Sequence, residues 1–190
     1  RLAGAGVSPD NGEVLVTGAA GGVGSMAVSL LSRLGYHVAA LTGRSQHGEA
    51  LKALGARSLV DRAEFLADPD KPLESARWAG AVDSVGGAVL SKLLKQVKYG
   101  GSVAGIGNAG GIELHTNVLP FILRGVNLLG IDSVMQPYAA RLEAWDRLAS
   151  LFDFDAYAGL VREIGLAELP EAAERILLGQ VAGRVLVRPR

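Results

Sequence analysis

VTGAAGGVGSMA, residues 16 to 27, puts Gly18, Gly21, Gly22 and Gly24 within seven positions. A short β-branched run, Val14 to Thr17, leads into it. Val23, Ala27, Leu30, Leu31 and Leu34 follow at helical spacing, and Gly35 suits a helix C-terminus. The pattern predicts a buried strand, a glycine turn and an amphipathic helix. The first N–H groups of a helix lack intrahelical partners, and its dipole adds partial positive charge there. Glycines let a bulky anion such as a diphosphate approach that end closely. A tight turn with no ligand is the alternative, and the rest of the chain decides between them.

The 190 residues suffice for one domain with a proper core, or one domain and part of another. Lys and Arg number nineteen, as do Asp and Glu, so there is no basic excess to point to nucleic acid or a membrane surface. No stretch approaches the roughly 18 uninterrupted apolar residues of a membrane span. Cysteine is absent, which excludes disulfides and thiolate metal sites and gives secretion no support. His37, His47 and His115 are dispersed, so no metal site is expected. The opening RLAGAGVSPDNG reads as a helix end and a turn rather than a signal peptide.

Strand and helix then alternate. HVAALT (37–42), ARSLVD (56–61), WAGAVD (78–83), Gly100 to Ile106 and Val126 to Gly130 read as strands. Helices are expected near 47–54, over 88–98 and over 117–123. This order predicts an α/β fold, a doubly wound parallel sheet covered on both faces. Glycine-rich turns after the first, fourth and fifth strands fall at the carboxyl edge, where open α/β sheets bind ligands. Beyond residue 135 the expectation is an amphipathic helix over 138–151, with Leu142, Trp145, Leu148 and Ala149 on one face. A weaker helix over 155–164, a helix from Pro170 to Leu178 and a closing strand, GRVLVRP, complete it.

The turn lacks the lysine of a P-loop, since Gly24 is followed by Ser25 and Met26, so a dinucleotide is favoured over a nucleoside triphosphate. An NAD site calls for Asp or Glu at the end of the second strand, to accept from the ribose 2′-OH. Thr42-Gly43-Arg44-Ser45 stands there instead. A 2′-phosphate pairs with guanidinium and hydroxyl donors, so NADPH is the expected cofactor. TGAAGGVG also fits the turn of short-chain dehydrogenases, which need a tyrosine base with a lysine four residues on. The four tyrosines, Tyr36, Tyr99, Tyr138 and Tyr157, are followed at that distance by Ala40, Val103, Leu142 and Val161, so that reading fails.

Together VTGAAGGVGSMAVSLL, LTGRSQHGEALKALGA, WAGAVDSVGG, GNAGGIELHTNVLPFILRGVNLLGIDSVM and GQVAGRVLV resemble the cofactor domain of medium-chain dehydrogenase/reductases. Within them the likeness is to the zinc-independent quinone oxidoreductase branch and its acrylyl-CoA reductase (YhdH/YhfP-like) family. The resemblance implies that Ala20, Gly21, Gly22, Val23 and Gly24 hold the diphosphate and that Thr42, Gly43 and Arg44 hold the 2′-phosphate. Arg62, Asn108, Ile122, Ser133 and Gly179 match further cofactor contacts. It implies a Rossmann domain over 1–135 and, over 136–190, helices and a strand returning to a preceding GroES-like domain. No catalytic residue is assigned. The implied protein is a cytoplasmic, homodimeric NADPH-dependent enoyl reductase of a small acyl-CoA thioester. A quinone or conjugated-carbonyl reductase and a non-catalytic NADPH sensor are the alternatives. Asp83 and Asp132 read more simply as capping carboxylates than as catalysts, and Trp78 and Trp145 as core or interface anchors.

Overall fold

The computed structural model describes residues 1–67 and 71–189; Arg190, at the end of the expected C-terminal segment, lies outside them. Six parallel strands form one sheet in the order β3-β2-β1-β4-β5-β6. They are β1 (Glu13–Val16), β2 (His37–Thr42), β3 (Ala56–Asp61), β4 (Trp78–Asp83), β5 (Val97–Gly105) and β6 (Asn127–Gly130). The strand order reverses direction between β1 and β4, and this opens a crevice at the carboxyl edge between them. Helices α1 (Gly22–Arg33), α2 (Gly48–Ala53), α3 (Arg62–Ala67), α4 (Gly87–Gln96) and α5 (Leu119–Arg124) make the crossovers. This is the doubly wound sheet that the alternation predicts.

Side chains of a strand alternate between faces, and β1 supplies both halves of the core. Val14 and Val16 join Val28, Val38 and Leu51 on one face. Leu15 joins Trp78, Leu93, Leu94 and Val103 on the other. The buried face of α1 differs from the apolar one expected. Gly24, Ser25, Val28, Ser29 and Leu31 face the sheet, while Val23 is 51% and Leu34 39% exposed. Small residues let the helix lie close, and Ser25 satisfies its hydroxyl by donating to the Gly21 carbonyl at 2.7 Å. The fifth strand also begins earlier than expected, at Val97, because the chain leaves α4 directly into the sheet. α3 was not expected at all.

The C-terminal part departs most. α6 (Tyr138–Leu151) forms as expected, but none of its residues is buried, and Trp145 is 63% exposed, so it is not a core anchor. α7 (Phe154–Tyr157) is short, and the helix expected to run on through 164 gives way to β7 (Val161–Gly165). That strand pairs in parallel with β8 (Arg184–Arg188), across α8 (Leu169–Leu177). Within this chain the closing strand therefore has β7 as its partner. The unit docks on the main sheet through Tyr157, whose buried hydroxyl lies 2.8 Å from Ser25 Oγ. The Gly183 N–H donates to the Ala20 carbonyl at 3.0 Å.

Leu93 is fully buried at the centre of one face. Leu93→Ala is expected to lower stability by about 2–5 kcal/mol, read as a reduced urea midpoint at unchanged slope.

Candidate functional site

At the end of β1 the chain turns through Gly18, whose φ is +59° and where a Cβ would stand 2.7 Å from Ser84 Oγ. A Cβ on Gly24 would lie 2.3 Å from the Gly18 carbonyl oxygen. Only glycine at both positions lets α1 start this close to the strand. The turn after β4 is fastened to the same place. Thr17 Oγ1 donates to Asp83 Oδ1 at 2.6 Å and accepts the Ser84 N–H at 3.1 Å. Ser84 Oγ donates to the Thr17 carbonyl at 3.0 Å, and Asp83 Oδ2 accepts the Gly86 N–H at 2.9 Å. Asp83 is fully buried, so it is a structural clamp across β1 and β4. Asp132 likewise caps its own loop, accepting from the Val134 and Met135 N–H groups.

Beside this turn lies an open cleft of about 370 Å³. Gly21, Gly22, Val23 and Gly24 line one wall, and Thr42, Gly43, Arg44 and Arg62 another. Gly179 closes one end, and Ser84, Val85, Ala109 and Gly110 form the remaining side. Ala20 is fully buried behind the turn, where its carbonyl takes the Gly183 bond. Asn108 stands exposed at the edge, next to Ala109, and Ile122 (69% exposed) and Ser133 do not line the cleft. The sequence gives the glycine-rich turns after β4 and β5 but does not single out Ser84, Val85, Ala109 or Gly110. Their signal was the position of those turns at one sheet edge.

The β2 end of the cleft is cationic. The Arg62 guanidinium lies where a Cβ on Gly43 would come within 2.9 Å of it, and it makes no hydrogen bond or ion pair among the described residues. Arg44 donates through its backbone N–H to Thr42 Oγ1 at 3.0 Å, and through Nη1 to the Val181 carbonyl. Burial, and then the facing charge of Arg62, hold the Arg44 guanidinium below its ordinary pKa. Two facing guanidinium groups that form no ion pair among the described residues favour a bound anion. The α1 end is cationic too. The guanidinium of Arg184, a residue the sequence reading did not assign to the site, occupies the place where Gly22 would carry a Cβ. It donates to the Gly183 carbonyl at 3.3 Å.

A parallel α/β sheet with a glycine turn, a helix N-terminus and a cationic pocket at its switch point is a nucleotide-binding dehydrogenase fold. The family model described as zinc-binding dehydrogenase matches residues 22–150, and the chain belongs to that family, within the medium-chain dehydrogenase/reductases. Acrylyl-CoA reductase AcuI of Ruegeria pomeroyi is 55% identical over 182 residues, 96% of this chain and 55% of that protein. The yhdH oxidoreductase of Salmonella enterica, solved in complex with NADP, superposes with a TM-score of 0.93 at 52% identity, covering 100% of this chain and 58% of that one. Bacillus subtilis yhfP, solved with NAD bound, gives 0.90 at 48% identity, with 100% and 58% covered. The chain thus spans a little over half the length of the relatives it matches. Among the described residues no group of three or more His, Cys, Asp and Glu side chains is placed to hold a metal ion. No described helix is long and apolar enough to cross a membrane.

Asp83→Ala would leave the Thr17 hydroxyl and the Gly86 N–H buried without their acceptor. The expected loss is about 1–3 kcal/mol for each group in chemical denaturation, whereas Thr17→Ser, which keeps the hydroxyl, costs far less.

Proposed function

We propose that residues 1–135 form the NADPH-binding domain of an enoyl reductase acting on the conjugated C=C of a small acyl-CoA thioester. The observation that carries the cofactor choice is the pair of guanidinium groups, Arg44 and Arg62, converging with Thr42 where an NAD site would present a carboxylate. In this reading Gly21 to Gly24 and the α1 N-terminus hold the diphosphate, with Arg184 adding positive charge behind Gly22. Thr42, Gly43, Arg44 and Arg62 take the 2′-phosphate. Val85, Ala109 and Gly110 lead toward the nicotinamide, with Asn108, Ile122 and Ser133 assigned to that half by the resemblance. NADPH, when bound, supplies hydride to the β-carbon of the acceptor, and a proton from solvent or another group adds at the α-carbon. The protein's contribution is orientation and charge.

The reductase assignment follows the relative named acrylyl-CoA reductase, and the cofactor is supported by the related structure solved with NADP. Residues 136–190 would return to a further domain that this chain does not include. Supporting that are the shorter span of the chain and the exposed Trp145, Leu177 (88%) and Leu178 (63%). β6 ends the sheet with an edge unpaired among the described residues, where two copies would pair as a dimer; a place in the cytoplasm belongs to the same reading.

Fluorescence titration with NADPH and NADH tests the cofactor reading. Arg44→Ala is expected to weaken NADPH about ten- to hundredfold, the worth of charge-assisted hydrogen bonds, and to leave NADH almost unchanged. Equal binding of the two cofactors by the unaltered protein would overturn it. Saturable NADPH oxidation with acrylyl-CoA by the full-length protein tests the reaction; cofactor binding without turnover would leave a sensor.

A further inference from the structure

The turn that carries Arg44 runs on through Ser45–His47, and the His47 N–H donates to the Arg44 carbonyl at 3.1 Å. This sets the His47 backbone one turn on from that of Arg44. His47 is half-buried and faces a second, smaller cleft of about 220 Å³ whose wall includes Val181, the residue whose carbonyl holds Arg44. The 2′-phosphate pocket and the His47 cleft therefore share one partition.

Charge around the imidazole is one-sided. From its own loop comes Arg44, with Arg62 of α3 facing that group. From α8 and β7 come Arg175 and Arg162, both lining the cleft, the latter paired with Glu168 at 3.3 Å. On β3, Asp61 lies in register with Thr42, but its carboxylate accepts the Ala63 and Glu64 N–H groups. On α2, Glu49 is paired with Lys52 at 2.9 Å. Among the described residues no acidic side chain lines either cleft. A proton on His47 is thus opposed by its surroundings until an anion arrives.

We propose that His47, in the cleft adjoining the 2′-phosphate pocket, is a specificity-determining residue for it: its imidazole takes up a proton as the 2′-phosphate settles on Arg44 and Arg62, so discrimination for NADPH over NADH sharpens as pH falls. The inference rests on the NADPH reading above. In agreement with it, burial and then the charge of Arg44 hold His47 below the ordinary histidine pKa in the free protein. The sign follows from linkage. A bound dianion offsets the Arg44 charge and raises the pKa of His47, so binding takes up a proton, and affinity grows as pH falls through the raised, bound-state value. The gain levels off below the lower, free-state value, where His47 is already protonated. NADH carries no phosphate there and gains nothing from this proton. The dinucleotide's own phosphate loses charge near pH 6 and pulls the other way. A variant without the imidazole supplies that baseline.

The test is titration of the full-length protein and of His47→Gln with adenosine 2′,5′-bisphosphate and with 5′-AMP, from pH 5 to 8, alongside the NMR titration of the imidazole. The ratio of the two affinities is expected to rise toward low pH in the unaltered protein relative to His47→Gln, by no more than about tenfold per pH unit for one proton. The His47 imidazole resonance is expected to titrate at higher pH with the bisphosphate bound than without. If the bisphosphate binds no better than 5′-AMP at any pH, the 2′-phosphate reading fails and this inference with it. If it binds better, and Arg44→Ala removes the advantage, while His47 titrates at the same pH bound and free, only the role of His47 is overturned.

Discussion

The carbonyl oxygen of Gly18 leaves no room beside it. α1 begins so close that a single added carbon at Gly24 would stand 2.3 Å from that oxygen. This approach aims the helix N-terminus into the crevice and sets the depth of the cleft. Two further contacts keep it in place. The buried Asp83 draws the end of β4 against Thr17, and the Ser25 hydroxyl, set toward the sheet, takes the Gly21 carbonyl on one side and the Tyr157 hydroxyl on the other. The cleft is therefore defined by backbone, and the side chains at its β2 end add charge to a shape already fixed.

The molecule holds its buried and its more exposed cations in two ways. Lys92, 5% exposed, lies 3.4 Å from the carboxylate of Glu74, as a charge taken out of water requires. Arg44 and Arg62 have no carboxylate among the described residues, and Arg44 spends one N–H on a carbonyl. The first arrangement stabilises a fold. The second sets two like charges side by side at the edge of the cleft, open to an anion, and that contrast separates site from scaffold here.

Much of this could be read in the residues themselves. Strand–helix alternation gave all six strands of the sheet, and the four glycines gave the turn. Arg44, in the place of an acid, gave the character of the β2 end. The buried side of α1 could not be read, because Gly24, Ser25 and Ser29 carry no apolar signal and are buried for their small size. VREIG has no clean alternation, so β7 takes its strand form from pairing with β8, a tertiary effect. Arg62 was reachable only through family resemblance. Arg184 and Gly183 meet the glycine turn through contacts between distant parts of the chain, which leave no periodic trace.

That last feature bears on how the molecule comes together. Four of the five strand pairs of the sheet join consecutive strands, contacts of low loop-closure cost, while β1 and β4 meet across 66 residues. The glycine turn is closed from outside by another kind: Tyr157 reaches Gly22 across 135 residues, and Arg44 reaches Val181 across 137. On a growing polypeptide the sheet can assemble while both of those partners are still unmade. The contacts that close the glycine turn from outside are thus the last that an emerging chain can make.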